Sequence, residues 1–360
     1  MNYLLKNIFN QKIPLVGFTV TLLVAVLYVY QPVWLGTLDN KLYDIVLENG
    51  HTTETKDVVA IVDLDEKSLK QYGQWPWPRY RLALLLKKLQ QAEVRAVGMD
   101  IIFSEPDRSS PYILQQELQE DLDVSVEFSG LPEALKDNDR IFAQTLQDGP
   151  FVLGFFLDVD SNVEQEGPVF IKDLNPAVVT KDKNISLHDY LTHSFSALQP
   201  LENLSHAATA TGYINTSRDQ DGVLRSTPLI MSFKEKIYAN LGFSVLWTSL
   251  GKPSCIVKYS SEGVESMRLG STVIPLNKQG YIWLHYRGPN HTFPYYSAGD
   301  ILAGNIPAEA LRGKIVLVGT TAKGLHDLRT TPFDSEYPGV EAHATLIDNI
   351  LTGDFISVPD

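Results

Sequence analysis

The most hydrophobic part of the chain lies near its N-terminus. Residues 13–35 form an apolar run without a charged residue, which is long enough for a helix to cross the hydrocarbon core of a membrane. Lysines precede this run and mostly acidic residues follow it, so residues 1–12 are expected in the cytoplasm and the chain from residue 37 onward outside it. Because no small-x-small cleavage site follows the run, we expect an uncleaved transmembrane helix rather than a signal peptide.

Shorter hydrophobic patterns predict a folded domain after this run. Apolar, largely β-branched stretches at 58–64, 95–103 and 314–319 are typical of strands that are covered on both faces of a parallel sheet. Apolar residues at helical spacing over 79–91 and 338–352 predict amphipathic helices. A strand, a helix and a strand in this order predict a right-handed parallel unit.

The middle of the chain has a different pattern. Between residues 255 and 286, short strand-like segments alternate with turn residues, which favours an antiparallel meander. Residues 104–130 are expected to run over the surface, and residues 159–200 to form an insertion with little regular structure. The predicted fold class is therefore mixed α/β, with a largely parallel sheet flanked by helices, antiparallel strands in the middle and one N-terminal transmembrane helix.

Composition excludes several classes of function. The 360 residues are 44% hydrophobic and 20% charged, as in an ordinary globular protein. A formal net charge of −13 argues against a nucleic-acid partner, since phosphate backbones would be repelled. A single cysteine, Cys255, excludes an intrachain disulfide and a cysteine-rich metal cage, and the histidines lack metal-ligand spacing. We expect no metal and no cofactor.

Polar side chains follow three of the predicted parallel strands. Asp63 and Asp65 end the first strand, Asp100 lies near the end of the second, and Thr320 and Thr321 follow a third. Open parallel sheets bind ligands in the crevice at this edge, so these residues are predicted to line a polar pocket. The alternative is structural: the two aspartates after the first strand cap the next helix, and Asp100 supports a loop.

Two tryptophans and three arginines complete the set of candidate pocket residues. Trp75 and Trp77, between prolines, form either a rigid aromatic wall for a ligand or hydrophobic packing at a strand-to-helix turn. Arg79, Arg225 and Arg287 present planar guanidinium groups suited to an anion, but they could equally pair with aspartates inside the fold.

Motifs of catalytic and ion-binding sites are incomplete. Residues 319–324 have the glycine spacing of a phosphate loop, but Leu325 and His326 replace the required lysine and hydroxyl residue. Residues 219–222 begin like a calcium loop, yet Ile230 stands where the bidentate glutamate belongs, so a tight turn is predicted. Without a Gly-x-Ser-x-Gly segment, no catalytic residue is nominated.

Taken together, seven segments resemble the CHASE2 domain, an extracytoplasmic sensory domain of bacterial receptors. Each segment alone is a weak signal, but the ordered set is specific and spans residues 37–353. The segments begin at Val62-Asp63-Leu64-Asp65, Trp75-Pro76-Trp77-Pro78-Arg79, Gly98-Met99-Asp100, Gly212-Tyr213-Ile214-Asn215, Tyr286-Arg287-Gly288-Pro289, Gly313-Lys314-Ile315-Val316 and Thr331-Pro332-Phe333.

This resemblance implies a signal-input domain in the inner membrane of a bacterium. Such domains typically lead into further membrane helices and a cytoplasmic adenylate or guanylate cyclase; a histidine kinase or diguanylate cyclase is the alternative output. The resemblance also implies a homodimer, a small-molecule or protein signal, and a linker toward the membrane that starts at residues 354–360. Two rival interpretations are an anchored enzyme that uses the aspartate cluster and a binding module without a switch.

Overall fold

The fold is seen in a computed structural model, in which the chain divides into two compact units, Met1–Gly50 and His51–Asp360. The first unit contains helix α1, Asn2–Tyr30, and helix α2, Val33–Gly50. The structure describes residues 2–30, 33–50, 54–161, 163–182, 184–217, 219, 221–322 and 328–356.

The predicted transmembrane helix is not found among these residues. In the described part of the chain, no helix has both the length and the apolar content needed to cross a membrane. The apolar run at 13–35 is divided between α1, which ends at Tyr30, and α2, which begins at Val33, while residues 31 and 32 lie outside the described residues. Apolar composition alone does not fix where one helix ends, so a sequence window can join two helices.

The second unit alternates helices and strands over most of its length. Its helices are α3 Glu66–Tyr72, α4 Arg79–Gln91, α5 Pro111–Leu122, α6 Asn138–Gln147, α7 Glu202–Ala207, α8 Leu241–Ser249, α9 Ala298–Ala303 and α10 Gly339–Thr352. Its strands are β1 Val59–Asp63, β2 Ala96–Met99, β3 Phe151–Asp158, β4 Ala177–Val179, β5 His193–Ser194, β6 Ser196–Leu198, β7 Ala210–Tyr213, β8 Ser226–Pro228, β9 Ile230–Phe233, β10 Lys236–Ala239, β11 Cys255–Ser260, β12 Gly263–Leu269, β13 Thr272–Pro275, β14 Tyr281–Trp283, β15 Tyr295–Ser297, β16 Ile315–Gly319, β17 Leu328–Arg329 and β18 Tyr337–Pro338.

A mainly parallel sheet forms the centre of this unit, as predicted. Its strands lie in the order β15, β1, β16, β2, β3, with β7 parallel to β3 and β6 antiparallel to it. Every residue of β1, β2 and β16 is buried, which explains their continuous apolar sequences. Strand β16 lies between β1 and β2, so strands that are far apart in sequence are neighbours in the sheet.

Smaller sheets account for the middle of the sequence. The predicted meander is confirmed for antiparallel β11, β12 and β13, with β4 added parallel to β11, but its expected last strand, β14, pairs with β8 instead. Residues 104–130 contain helix α5 as well as surface loop, and the insertion at 159–200 holds short strands. Strands β8 and β9 are separated by one residue and belong to different sheets, since β8 pairs with β14 and β9 with β10.

Candidate functional site

A crevice of about 620 Å³ lies at the carboxyl edge of the parallel sheet. Leu64 follows β1, Asp100 and Ile101 follow β2, Ile214 follows β7 and Thr320 follows β16, so four strands of the sheet contribute to its walls. This is where the sequence predicted a pocket. The remaining lining residues come from segments 75–79, 102 and 104–109.

The Trp-Pro-Trp-Pro segment forms one wall of this crevice. Trp77 is 1% exposed, donates from Nε1 to the carbonyl of Gly73 at 2.8 Å and packs edge-on against Tyr72. Trp75 is only partly buried and lines the crevice beside the buried core. Trp77 therefore has the packing role, whereas Trp75 remains a candidate for contact with a ligand.

Arg79 begins helix α4 and lines the crevice. Its backbone N–H donates to Asp107 Oδ2 at 2.7 Å, and Nη2 donates to the carbonyl of Glu105 at 3.1 Å. Its Nε lies 3.4 Å from Asp139 Oδ1, an ion-pair distance without a hydrogen bond, and its guanidinium lies over the ring of Phe103. The arginine thus holds the loop at 104–109 in place, and its charge is matched inside the fold.

The loop 104–109 is the part of the site that the sequence patterns did not reveal. Asp107 is 7% exposed and accepts hydrogen bonds from the backbone of Arg79, from the Ser109 hydroxyl and from Asn138 Nδ2. Burial alone raises the pKa of Asp107, but these hydrogen bonds outweigh it and hold the pKa below its ordinary value. The available signal was the polar Ser104-Glu105-Pro106-Asp107 sequence directly after the strand predicted at 95–103.

Asp63 and Thr321 join the ends of β1 and β16. Asp63 accepts from the Thr321 backbone N–H at 2.9 Å and from its hydroxyl at 2.5 Å. Burial raises the pKa of Asp63, although the Thr321 hydrogen bonds oppose this effect. Both residues lie at the carboxyl edge of the sheet but do not line the crevice, and their contact fastens two neighbouring strands.

Asp65 has the structural role that was its alternative interpretation. It accepts from the Ser68 backbone N–H at 2.8 Å and thereby caps α3, and it also accepts from the Ser297 hydroxyl at 3.0 Å. Of the aspartate and threonine candidates, Asp100 and Thr320 remain in the crevice wall. The Thr320 hydroxyl donates to the Leu64 carbonyl at 3.2 Å. The carboxylates of Asp63, Asp65 and Asp100 therefore do not all face the crevice.

Arg225 lies outside the crevice and pairs with the turn that precedes it. It is 1% exposed and reaches Asp219 at 2.7 Å and Asp221 at 2.9 Å. Gly222 closes this turn with a φ of 83°, a conformation that favours glycine. The predicted tight turn is confirmed, while positions 218 and 220 lie outside the described residues.

Arg287 likewise pairs within the fold. Its Nε donates to Asp348 Oδ2 at 2.7 Å, its Nη1 to Asp354 Oδ2 at 2.5 Å, and its Nη2 to the Thr352 hydroxyl at 3.1 Å. Burial alone lowers the pKa of Arg287, but the hydrogen bonds to the two carboxylates outweigh it and raise the pKa. Arg225 and Arg287 therefore do not join the other candidate residues.

The described residues contain no group of three or more histidine, cysteine, aspartate or glutamate side chains that could hold a metal ion. Residues 323–327, which contain the last part of the incomplete phosphate-loop motif, lie outside the described residues.

The sequence model of a family described as the CHASE2 domain matches residues 19–360, which is most of the chain. No curated protein and no solved structure matches the chain.

Proposed function

The chain belongs to the CHASE2 family, whose domains are extracytoplasmic sensors of membrane receptors, and from this premise we propose that it receives its signal in the crevice at the carboxyl edge of the sheet. The crevice carries the proposal because it combines a partly exposed aromatic side chain, Trp75, with polar groups that include Asp100 and Thr320. A volume of about 620 Å³ is within the range of small-molecule sites.

A route from the crevice to helix α10 supports a sensory role. Gly319 ends β16 directly before Thr320, and a Cβ placed on it would lie 2.7 Å from Val340 Cβ near the start of α10. Because Gly319 and Val340 are closely packed, displacement of the Thr320 segment is expected to move α10.

Helix α10 in turn ties together the start and the end of the second unit. The Lys56 backbone N–H donates to Asp348 Oδ1 at 3.0 Å, and its Nζ donates to the Leu351 carbonyl at 2.9 Å. Asp348 also binds Arg287, which holds Asp354 beyond the helix. A signal can act only if it binds more tightly to one arrangement of these two ends than to another. The network around Asp348 would then transmit the change in arrangement toward the membrane.

The proposed receptor is a homodimer in the inner membrane of a bacterium, with the second unit outside the cytoplasm. Its output is an adenylate or guanylate cyclase of class III, controlled by rearrangement of the dimer; a histidine kinase or diguanylate cyclase is the alternative output. The family supports this proposal through its role in membrane receptors.

A chimeric receptor tests the proposed function. The chain is joined through a membrane segment to the catalytic domain of a class III adenylate cyclase, and cyclic AMP is measured in cells. Ile102→Trp fills the crevice, whereas Leu84→Trp adds the same side chain at a half-exposed position of α4 that does not line it. We expect altered cyclic AMP with Ile102→Trp only. Equal output from both variants and the parent, with all three folded, would contradict the proposal.

A further inference from the structure

A second cavity, of about 160 Å³, lies near the amino edge of the parallel sheet, opposite the crevice. Its lining includes Lys172, Lys252 and the hydroxyl residues Thr209, Thr211 and Ser244. Thr209 directly precedes strand β7, which places the cavity at the start of the parallel strands. An adjoining groove of about 550 Å³ shares Thr209 and Lys252 with it. We call this cavity the lysine pocket.

The two lysines of this pocket are fixed by neighbouring backbone carbonyls. Lys172 Nζ donates to the carbonyls of Ala208 and, at 3.3 Å, of His206. Lys252 Nζ donates to the carbonyl of Thr209 at 2.7 Å. Both lysines line the same pocket and donate to carbonyls of the adjacent residues 208 and 209. An ammonium has three N–H donors, so one remains on Lys172 and two remain on Lys252.

The charges of this pair are not matched by carboxylates. Within the described part of the chain, neither Lys172 nor Lys252 has a carboxylate at ion-pair distance. Asp173 also lines the pocket, but it is paired with Lys236 Nζ at 3.1 Å. Burial lowers the pKa of both pocket lysines, and the charge of Lys252 lowers the pKa of Lys172 further. An anion between them would remove this repulsion.

A hydroxyl group supplies a further donor. Ser244 is 2% exposed, and its hydroxyl makes no hydrogen bond within the described part of the chain. The oxygen is held against strand β7, since a Cβ placed on Gly212 would lie 3.0 Å from it. Three ammonium N–H groups and one hydroxyl are thus four donors on residues that line one pocket, a combination suited to an oxyanion such as phosphate.

We propose that the lysine pocket binds a phosphate group, with Lys172, Lys252 and Ser244 as donors and the adjoining groove holding the remainder of a phosphorylated molecule. The chain has a net charge of −13, so anions are repelled by the molecule as a whole and binding has to depend on these local cations. The source of the phosphate is a soluble molecule or a lipid headgroup, and the site does not depend on the crevice.

Binding of inorganic phosphate to the full chain tests this proposal by isothermal titration calorimetry. Lys172→Gln and Lys252→Gln are each expected to weaken the affinity about tenfold, because each removes a charged donor. The matched control is Lys234→Gln, whose Nζ also donates to a backbone carbonyl, that of Gly167, but does not line the pocket. Lys172→Arg, which keeps the charge, should keep most of the affinity.

A second readout separates binding from a structural role of the lysines. With phosphate bound, the pKa of Lys172, followed by NMR of labelled lysine, should rise in the parent chain and in Lys234→Gln. Phosphate affinity that is equal in the parent and in both pocket variants, or an unchanged lysine pKa in saturating phosphate, overturns the proposal.

Vesicles identify the source of the phosphate. Vesicles of phosphatidylcholine alone are compared with vesicles that also contain phosphatidic acid. Phosphatidic-acid binding that inorganic phosphate competes away and that Lys252→Gln weakens supports the pocket as a lipid-headgroup site. Absence of vesicle binding together with phosphate binding supports it as a site for a soluble molecule.

Discussion

Arg287 Nε donates to Asp348 Oδ2 across 2.7 Å, with 2% and 0% of the two side chains exposed. This buried pair connects the segment after β14 to the last helix, and through Asp348 it reaches the Lys56 backbone at the start of the second unit. Two distant parts of the sequence are thus fixed by one charged contact.

Removing one partner of this pair should be costly. Arg287→Ala leaves the Asp348 carboxylate buried without its counter-ion, so we expect the free energy of unfolding to fall by about 3–5 kcal/mol. Urea unfolding measures the change. The control is Lys236→Ala, which breaks an exposed pair with Asp173 and should cost less than about 1 kcal/mol. Equal effects of the two substitutions would contradict this interpretation of the network.

The two tryptophans of the crevice wall should differ in their effect on stability. Trp77→Ala opens a cavity in the core and removes the hydrogen bond to Gly73, with an expected loss of about 3–5 kcal/mol. Trp75 is only partly buried, and Trp75→Ala should cost roughly 1–2 kcal/mol. Thermal unfolding of the two variants checks which substitution loses more stability. A larger loss for Trp75→Ala would contradict the assignment of Trp77 as the core residue.

The close contact between Gly319 and helix α10 predicts a compensating pair. Gly319→Ala places a methyl group 2.7 Å from Val340 Cβ, so we expect a loss of about 1–3 kcal/mol from overpacking. Val340→Gly removes the Cβ atom and both Cγ atoms that this methyl group would contact. The double variant should therefore lose less stability than the sum of the single losses. Additive losses would show that the two residues do not press against each other.

A buried histidine should make stability depend on pH. Complete burial of His343 is the main reason why its pKa is lowered from 6.5 to about 4, and the charge of Arg329 contributes to the same shift. The unfolded chain therefore binds the proton more readily, and this contribution to stability is lost as the pH falls from 6.5 toward 4, up to about 3 kcal/mol.

Comparison of two glutamine variants isolates this contribution. His343→Gln should flatten the pH dependence of unfolding between pH 4 and 6.5 relative to the parent, whereas His206→Gln, at an exposed position, should leave it unchanged. Asp63 and Glu341 have pKa values raised by burial and change stability in the opposite direction, but they are common to all three proteins. An unchanged curve for His343→Gln would contradict the prediction.

Local patterns in the sequence were sufficient for much of the sheet and for some helices. Helix α4 has the predicted bounds, because Pro78 fixes its start and leucines at helical spacing define its buried face. Strands β1, β2 and β16 were recognisable because both faces of each are covered. Their carboxyl ends therefore predicted the edge at which the crevice lies.

Side-chain pairing that depends on the fold could not be predicted from local sequence patterns. Sequence spacing left open whether Arg287 binds an anion or pairs internally, since its partners Asp348 and Asp354 are 61 and 67 residues away. Arg225 pairs with nearby Asp219 and Asp221, and this pairing depends on the turn that brings them together. The polar sequence at 104–109 predicts a surface loop, yet Asp107 is buried and held by its hydrogen bonds. Polarity indicates exposure only when a side chain has no partner in the fold.

The most direct test of the account is the location of the second unit. Asp160→Cys is introduced at an exposed position of the chain in which Cys255 is replaced by serine, and intact cells are treated with an impermeant maleimide. The unmodified chain is the control, because burial of Cys255 raises its pKa to about 11 and leaves it unreactive. An extracytoplasmic sensor predicts equal labelling of the introduced thiol before and after lysis. Labelling only after lysis would contradict it.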